Sequence, residues 1–182
     1  QLLEQISYEE TIEMAFYGAS VIHPKTIKPI QNKKIPLIVR SFKDLNSKGT
    51  KVTNKAEMIP HIPCYIVKKN QVLVSIASLD FSFIVEENIS EIFKLFHKYQ
   101  LKVNLIQNSA ISFSVCLDNN LNHFDQLFNE MKVLYNVSFV KNVDLFTVRH
   151  FTENSLSKIY NLGTSLLSQI NKNTAQVIIQ KN

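Results

Sequence analysis

From about residue 69 the chain alternates between two hydrophobic rhythms, and this alternation limits its possible folds more than any other feature. "QVLVSIASL" sets Val72, Val74 and Ile76 on one face of a strand. "FIVEENISEIFKLFHKYQ" then moves to helical spacing, with Ile89, Ile92, Phe93 and Phe96 on one side. "LKVNLI" and "AISFSVCLD" are two further strands. "LNHFDQLFNEMKVL" is a second helix carrying Phe124, Leu127, Phe128 and Met131 at three-to-four spacing, and "NVSFVKNV" returns to a strand.

The order β-α-β-β-α-β over roughly 70 residues is the ferredoxin-like split βαβ arrangement, an α+β fold. After it come "LFTVRHF", a helix expected over about 153–171, and "AQVIIQ", together a β-α-β half of the same unit. A half-unit cannot cover its own sheet, so it is expected to pack on the first unit or on another copy of the chain. "AQVIIQ" is equally able to extend the first unit's sheet. Within the polar stretch between the paired strands, Gln107, Asn108 and Ser109 are more polar than a hairpin turn needs, since Asn-Gly or Asp-Gly suffices for a two-residue loop.

The first 68 residues follow a different plan. Ser7 and Glu10 form an S-x-x-E capping box, in which the serine caps free N–H groups and the glutamate reaches back. Ile12, Ala15, Phe16 and Ala19 follow on one helical face, with Gly18 as the break. A second short helix starts at "HPKTIKP", where Pro24 suits a first turn. "IPLIVR", residues 35–40, is a short strand, "SFKDLNSKGTKV" is a polar turn region, and residues 51–68 are a connector interrupted by Pro60 and Pro63.

Composition narrows the function. Three glycines, Gly18, Gly49 and Gly163, are too few and too scattered for a GxxxxGK[ST] or GxGxxG phosphate loop. No HExxH, GxSxG or DxDxDG element occurs, and the five histidines share no short motif. Cys64 and Cys116 have no metal-ligand spacing, and Cys116 reads as a small buried hydrophobe. The net charge of +5 comes from scattered lysines without the focused stripe and stacking aromatics of a nucleic-acid binder. An RNA-binding split βαβ domain is disfavoured for the same reason, because "LKVNLI" carries no aromatic. No apolar run nears the roughly 20 residues that span a bilayer. With neither initiator Met nor signal peptide, the chain reads as cytoplasmic and as a piece of a longer protein.

"ISYEETIEMAFYGASVIHPKTIKPI" resembles the aspartate kinase signature ISYxEAxELAxxGAxVxHPxTIxP, found near the end of that family's kinase domain. "IPLIVRSFKDLNSKGTKV" resembles the next family segment, IPVxVxxxxxPxxxGTxI, and "VNLIQNSAISFSV" is similar to the VxLIxxSxxxISFxV of its first ACT domain. The resemblance implies the end of a kinase domain and linker over 1–68, a first ACT domain over 69–143 and a partial second one over 144–182. It implies phosphorylation of L-aspartate by ATP with magnesium in the full-length enzyme, toward lysine, threonine and methionine. The family's KxGG and TTDPR segments are absent here, so these 182 residues are expected to be inactive alone, with no catalytic residue, cofactor or metal of their own.

The family likeness also assigns sites. Lys43 matches a position that sends a lysine to the nucleotide phosphates, a charge role that phosphoryl transfer needs. His23, constant in the signature, reads as a capping or packing residue before Pro24. The effector of paired ACT domains is expected at Asp80, Phe81 and Ser82, near Glu86 and Glu87, and at Val103, Asn104, Gln107, Asn108 and Ser109. A helix N-terminus supplies N–H groups for a ligand carboxylate, and Asp80 or amide oxygens supply acceptors for its ammonium. The loop "SLDFSFIVEEN" has no glycine, and Asn104 and Ala110 stand where lysine-sensing members carry acids. Threonine, lysine by other contacts, or no ligand remain open. The partners implied are a second copy of the chain, through the ACT domains, and an amino-acid effector (threonine or lysine); no nucleic acid or membrane is expected. The alternative is a structural ACT dimerisation module that binds no effector.

Overall fold

The computed structural model describes every residue except Ser20, Leu45, Asn120 and Asn182. The elements, in order, are β1 (Gln5–Ser7), α1 (Tyr8–Tyr17), α2 (Pro24–Asn32), β2 (Leu37–Val39), β3 (Thr50–Thr53), β4 (Cys64–Ala77), α3 (Glu86–Lys98), β5 (Val103–Asn108), β6 (Ser112–Asp118), α4 (Leu121–Met131), β7 (Asn136–Arg149), α5 (Glu153–Tyr160), β8 (Thr164–Ile170) and β9 (Thr174–Gln180). The fold is α+β. By their contacts the residues form two compact units.

The first unit comprises Gln1–Val67, Thr147–Ser157 and Ile170–Ala175. Its three-stranded sheet runs β1-β3-β2, with β1 parallel and β2 antiparallel to β3. Ile6, Tyr8, Ile27, Val52 and Met58 make its core, joined by half-buried Cys64. The start of α1 is set locally: Ser7 is extended and its Oγ accepts from the Glu10 N–H at 3.0 Å. At its end Gly18 takes φ 118°, a left-handed conformation natural to glycine, and its N–H reaches the Ala15 carbonyl. His23 caps α2 as expected, its Nδ1 accepting from the Lys25 N–H at 3.2 Å, with Pro24 in the first turn. The capping box is half formed: Glu10 does not reach back to Ser7, because both its carboxylate oxygens accept from Arg149.

The second unit comprises Lys68–Phe146, Lys158–Gln169 and Gln176–Asn182 and holds most of a six-stranded sheet ordered β5-β6-β4-β7-β9-β8. The β-α-β-β-α-β order from β4 to β7 is the one the periodicity predicts. On the helix side of the sheet, Val72, Val74, Ile76, Phe113, Val115 and Leu117 meet Ile92 and Phe96 of α3 and Leu127 and Met131 of α4. On the other side Leu73, Leu105, Cys116, Val143, Leu145, Leu167 and Ile178 form a second cluster. Cys116 is fully buried there, and burial pushes its thiol up to about 12. Both cysteines are free thiols.

Three expectations need correction. The helix expected over 153–171 stops at Tyr160, and Thr164–Ile170 is strand β8, so the C-terminal half-unit reads β-α-β-β. Leu162, Leu166 and Ile170 mimic helical spacing because β8 is an edge strand that fully buries only Leu167, which hides its period of two. The two strands expected over 136–143 and from Leu145 onward are one strand, β7, which runs through Asp144 and passes a positive φ of 59° at Asn142 without ending. The connector over 51–68 contains most of β3 and the first residues of β4. "AQVIIQ" lies in β9, within the same sheet as β4.

Gly163, before β8, lies against β9: a Cβ there would fall 2.3 Å from the Gln180 carbonyl oxygen and 3.0 Å from Ile179 Cγ2. Gly163→Ala must therefore push the edge strand off its neighbour. The expected cost is about 1–3 kcal/mol, read from the urea midpoint. A midpoint equal to that of the parent chain would show that the strand shifts freely.

Candidate functional site

The β5–β6 hairpin is built by register. Asn108 pairs with Phe113 and Gln107 with Ser114, and the Ser109 N–H closes on the Ser112 carbonyl at 2.9 Å. The Ile84 N–H donates to the Ala110 carbonyl at 2.9 Å, which ties the β4–α3 loop to the hairpin turn. In that loop Ser78 Oγ donates to the Ser82 carbonyl at 2.7 Å, and the Ser82 N–H donates to Asp80 Oδ1 at 3.1 Å. Those bonds from Ser82, side chain first and then backbone, hold the Asp80 carboxyl below the usual carboxylate range. Phe81 adopts φ 63° and is 83% exposed.

One end of the sheet thus gathers Asp80, Phe81, Ser82, Asn108 and Ser109, with Gln107 one step down the strand. The side chains of Gln107, Asn108 and Ser109 are exposed and make no hydrogen bond among the described residues. Glu86 and Glu87 follow in the first turn of α3, where the helix dipole favours them.

Val103 and Asn104 lie elsewhere. Val103 is opposite Leu117, at the other end of β5, about 20 Å of strand from Ser109 at roughly 3.3 Å per residue. Val103 packs on the helix-side core. Asn104 sits where the β5–β6 register shifts, and its amide is taken up internally. Its Oδ1 accepts from Lys68 Nζ at 2.7 Å, and its Nδ2 donates to Gln71 Oε1 at 2.7 Å and Asp118 Oδ1 at 2.6 Å. The residues nominated as one effector site therefore fall into two groups.

Lys43 lies in the exposed turn between β2 and β3, its N–H on Ser41 Oγ at 3.2 Å, next to Asp44. Among the described residues no group of three or more His, Cys, Asp or Glu could hold a metal ion, and no helix is long and apolar enough to cross a membrane.

Sequence reasoning missed the strongest polar feature of the first unit. Arg149 meets Glu10 in a two-pronged ion pair, Nε to Oε1 at 3.0 Å and Nη2 to Oε2 at 2.7 Å, with both side chains about nine-tenths buried. Arg149 Nη1 also donates to Thr174 Oγ1 at 2.6 Å, and His150 Nε2 stands 3.1 Å from Glu10 Oε2. Burial alone would raise the Glu10 carboxyl; the Arg149 bonds and charge, with help from His150, bring it below its ordinary value. Glu10 also lines a cavity of about 530 Å³ with Ser7, Glu57, Met58, His61 and His150. No local signal links Glu10 to a partner 139 positions away.

A β-α-β-β-α-β unit whose sheet runs on into a second, β-α-β-β half is a ferredoxin-like arrangement of the ACT type. No family model matches the chain. Lysine-sensitive aspartokinase 3 of Escherichia coli (strain K12) is 34% identical over 116 residues, covering 64% of this chain and 26% of that relative. The solved structure of E. coli aspartokinase III in complex with lysine and aspartate superposes with a TM-score of 0.76 at 22% identity, covering 98% of this chain and 43% of that one. Clostridium acetobutylicum aspartate kinase gives a TM-score of 0.82 at 18% identity, covering 99% and 46%. Both structures support the fold. The chain is similar in sequence to a stretch of the aspartokinases, and spans about a quarter of the length of the E. coli relative it matches.

Proposed function

We propose that the chain is the regulatory part of an aspartate kinase whose ACT units bind an end-product amino acid, threonine or lysine, and pair with a second copy. The observation that carries this reading is the Ile84–Ala110 bond, which sets the β4–α3 loop beside a hairpin turn rich in exposed amide and hydroxyl groups. Such a corner offers donors to a carboxylate and acceptors to an ammonium. The whole protein would phosphorylate L-aspartate in the cytoplasm with ATP and magnesium, and these 182 residues alone would be inactive. Lys43, exposed in its turn, would face the nucleotide only in that larger protein. Residues 1–68 would close the kinase domain, with ACT units over 69–143 and 144–182.

Calorimetric titration with lysine, threonine and methionine tests the reading, and heat of binding is expected for at least one of them. Silence for all three would falsify it and leave a dimerisation module.

A further inference from the structure

His61 and His150 both line the cavity of about 530 Å³ beside Glu10, within the first unit. Their rings stand edge to face, 4.8 Å apart between centroids and at 64°. His150 directly follows β7 with a positive φ of 53°, and its N–H donates to the Asn173 carbonyl at 2.7 Å. Its side chain is 15% exposed, and its buried Nε2 stands 3.1 Å from Glu10 Oε2 without a well-aligned hydrogen bond. His61 is exposed and lies in the connector between β3 and β4, residues 54–63. That connector is tied to the start of β1 at Ile59 and anchored by buried Met58. The Glu4 N–H donates to the Ile59 carbonyl at 2.7 Å, and the Ile59 N–H donates to the Gln5 carbonyl at 2.9 Å.

The charged groups around this contact come from every neighbouring element. Helix α1 brings Glu10, with Glu9 and Glu13, and Glu13 lies 3.6 Å from Arg149 Nη1. The connector brings Glu57, β7 brings Arg149, and the turn between β8 and β9 brings Lys172. Cys64 opens β4, and burial first, then the Glu10 charge, push its thiol up. Burial raises the Glu10 carboxyl, but the Arg149 bonds and charge bring it below its ordinary value. Histidine is the side chain that ordinarily changes charge between about pH 8 and 5.

We propose that the His61–His150 contact is an acid-released latch, which holds the 54–63 connector as a wall of the cavity while the rings are neutral and lets it swing away once both carry a proton. Neutral rings attract one another edge to face. The first proton suits His150, whose Nε2 then offers Glu10 a second cationic donor. A second proton on His61 puts three cations, His61, His150 and Arg149, around one buried carboxylate. His61 is the exposed member of the three and is the one free to leave. The latch needs no amino-acid ligand, so it stands or falls apart from the regulatory reading.

Amide exchange of the chain at about pH 7.5 and about pH 5.5, corrected for the intrinsic effect of pH on exchange, tests the latch. Protection of the Ile59 and Glu4 N–H groups, which close the connector on β1, is expected to fall at least about tenfold in acid. The Leu101 N–H, bonded to the Phe96 carbonyl in the second unit, is expected to keep its protection. His61→Phe keeps a ring for the edge-to-face contact without a proton to gain, and His150→Asn suits the positive φ. Both variants are expected to lose the acid response, and His61→Phe to keep the neutral protection. Unfolding curves report whether each variant folds; should His150→Asn not fold, His61→Phe, at an exposed side chain, carries the test alone. Equal protection of Ile59 and Glu4 at the two pH values in the parent chain overturns the latch. An acid response undiminished in His61→Phe overturns it as well, since the proton would then act elsewhere.

Discussion

Arg149→Ala is expected to lower the stability of the chain by about 3–5 kcal/mol, the range for breaking a buried ion pair from one side. The loss comes mostly from what is left behind. Glu10 would remain about nine-tenths buried with its two strong donors gone and only His150 Nε2 at 3.1 Å. Glu13, 3.6 Å from Arg149 Nη1, adds a weaker, more exposed contact that vanishes as well. Thr174 Oγ1 would lose the donor it now meets at 2.6 Å. Urea unfolding of Arg149→Ala, Glu10→Leu and the double variant measures the pair. The double variant is expected to cost less than the sum of the singles, because removing both charges strands neither. A single substitution costing under about 1 kcal/mol would sink the argument, since that is the range of an exposed pair.

The same pair sets a pH dependence with a definite sign. The folded Glu10 carboxyl lies below its unfolded value, which is about 4.3. A depressed carboxyl contributes stability that is fully present above the unfolded value and is lost as pH falls through the folded one. In Arg149→Ala, burial is opposed by His150 alone, so Glu10 is expected to titrate higher and this acid loss to shrink. Unfolding midpoints of both proteins from neutral pH down to about pH 3 read the difference.

The parts of the fold legible in the sequence are those with local causes. Ser7 at the head of α1, Gly18 at its tail and His23 ahead of Pro24 each act within a few residues, and each stands where its chemistry predicts. Helices α3 and α4 bury one stripe each, and β6 buries Phe113, Val115 and Leu117 on one face, so their periods are visible. Strand β8 was hidden because an edge strand burying one side chain has almost no period to show. Strand β7 looked like two because Asp144 breaks its apolar run; the carboxylate is buried within the strand, where it meets Lys181 and the Asn70 N–H. The candidate site divides in the same way. The turn at Gln107–Ser109 is conspicuous as a polar break, whereas its contact with the β4–α3 loop is a backbone bond between Ile84 and Ala110 that no side-chain pattern encodes. Nor does sequence join Lys68 to Asn104, or Glu10 to Arg149; those pairings arise from sheet order and from packing across the chain.

Phe113→Ala is expected to cost about 3–5 kcal/mol and to loosen the hairpin corner at the same time. Phe113 is 1% exposed on β6, between Ile76 on one neighbouring strand and Asn108 on the other. Its ring lies edge-on to Phe93 of α3 at 6.0 Å between centroids, and Phe93 meets Phe96 at 5.9 Å. Removing the ring leaves a cavity under the strand whose next residue, Ser112, closes the turn, and the strands cannot collapse into it without leaving register. The bonds most exposed to that slackening are Ser109 N–H to Ser112 and Ile84 N–H to Ala110, which hold the two halves of the corner together. Their amide exchange is expected to quicken beyond what global destabilisation alone gives, while exchange in α1 follows the global change. Phe81→Ala, at an 83% exposed ring in the same corner, is expected to change stability by no more than about 0.5 kcal/mol. Equal losses from the two substitutions would mean that the corner is held by its surface and not by the ring beneath it.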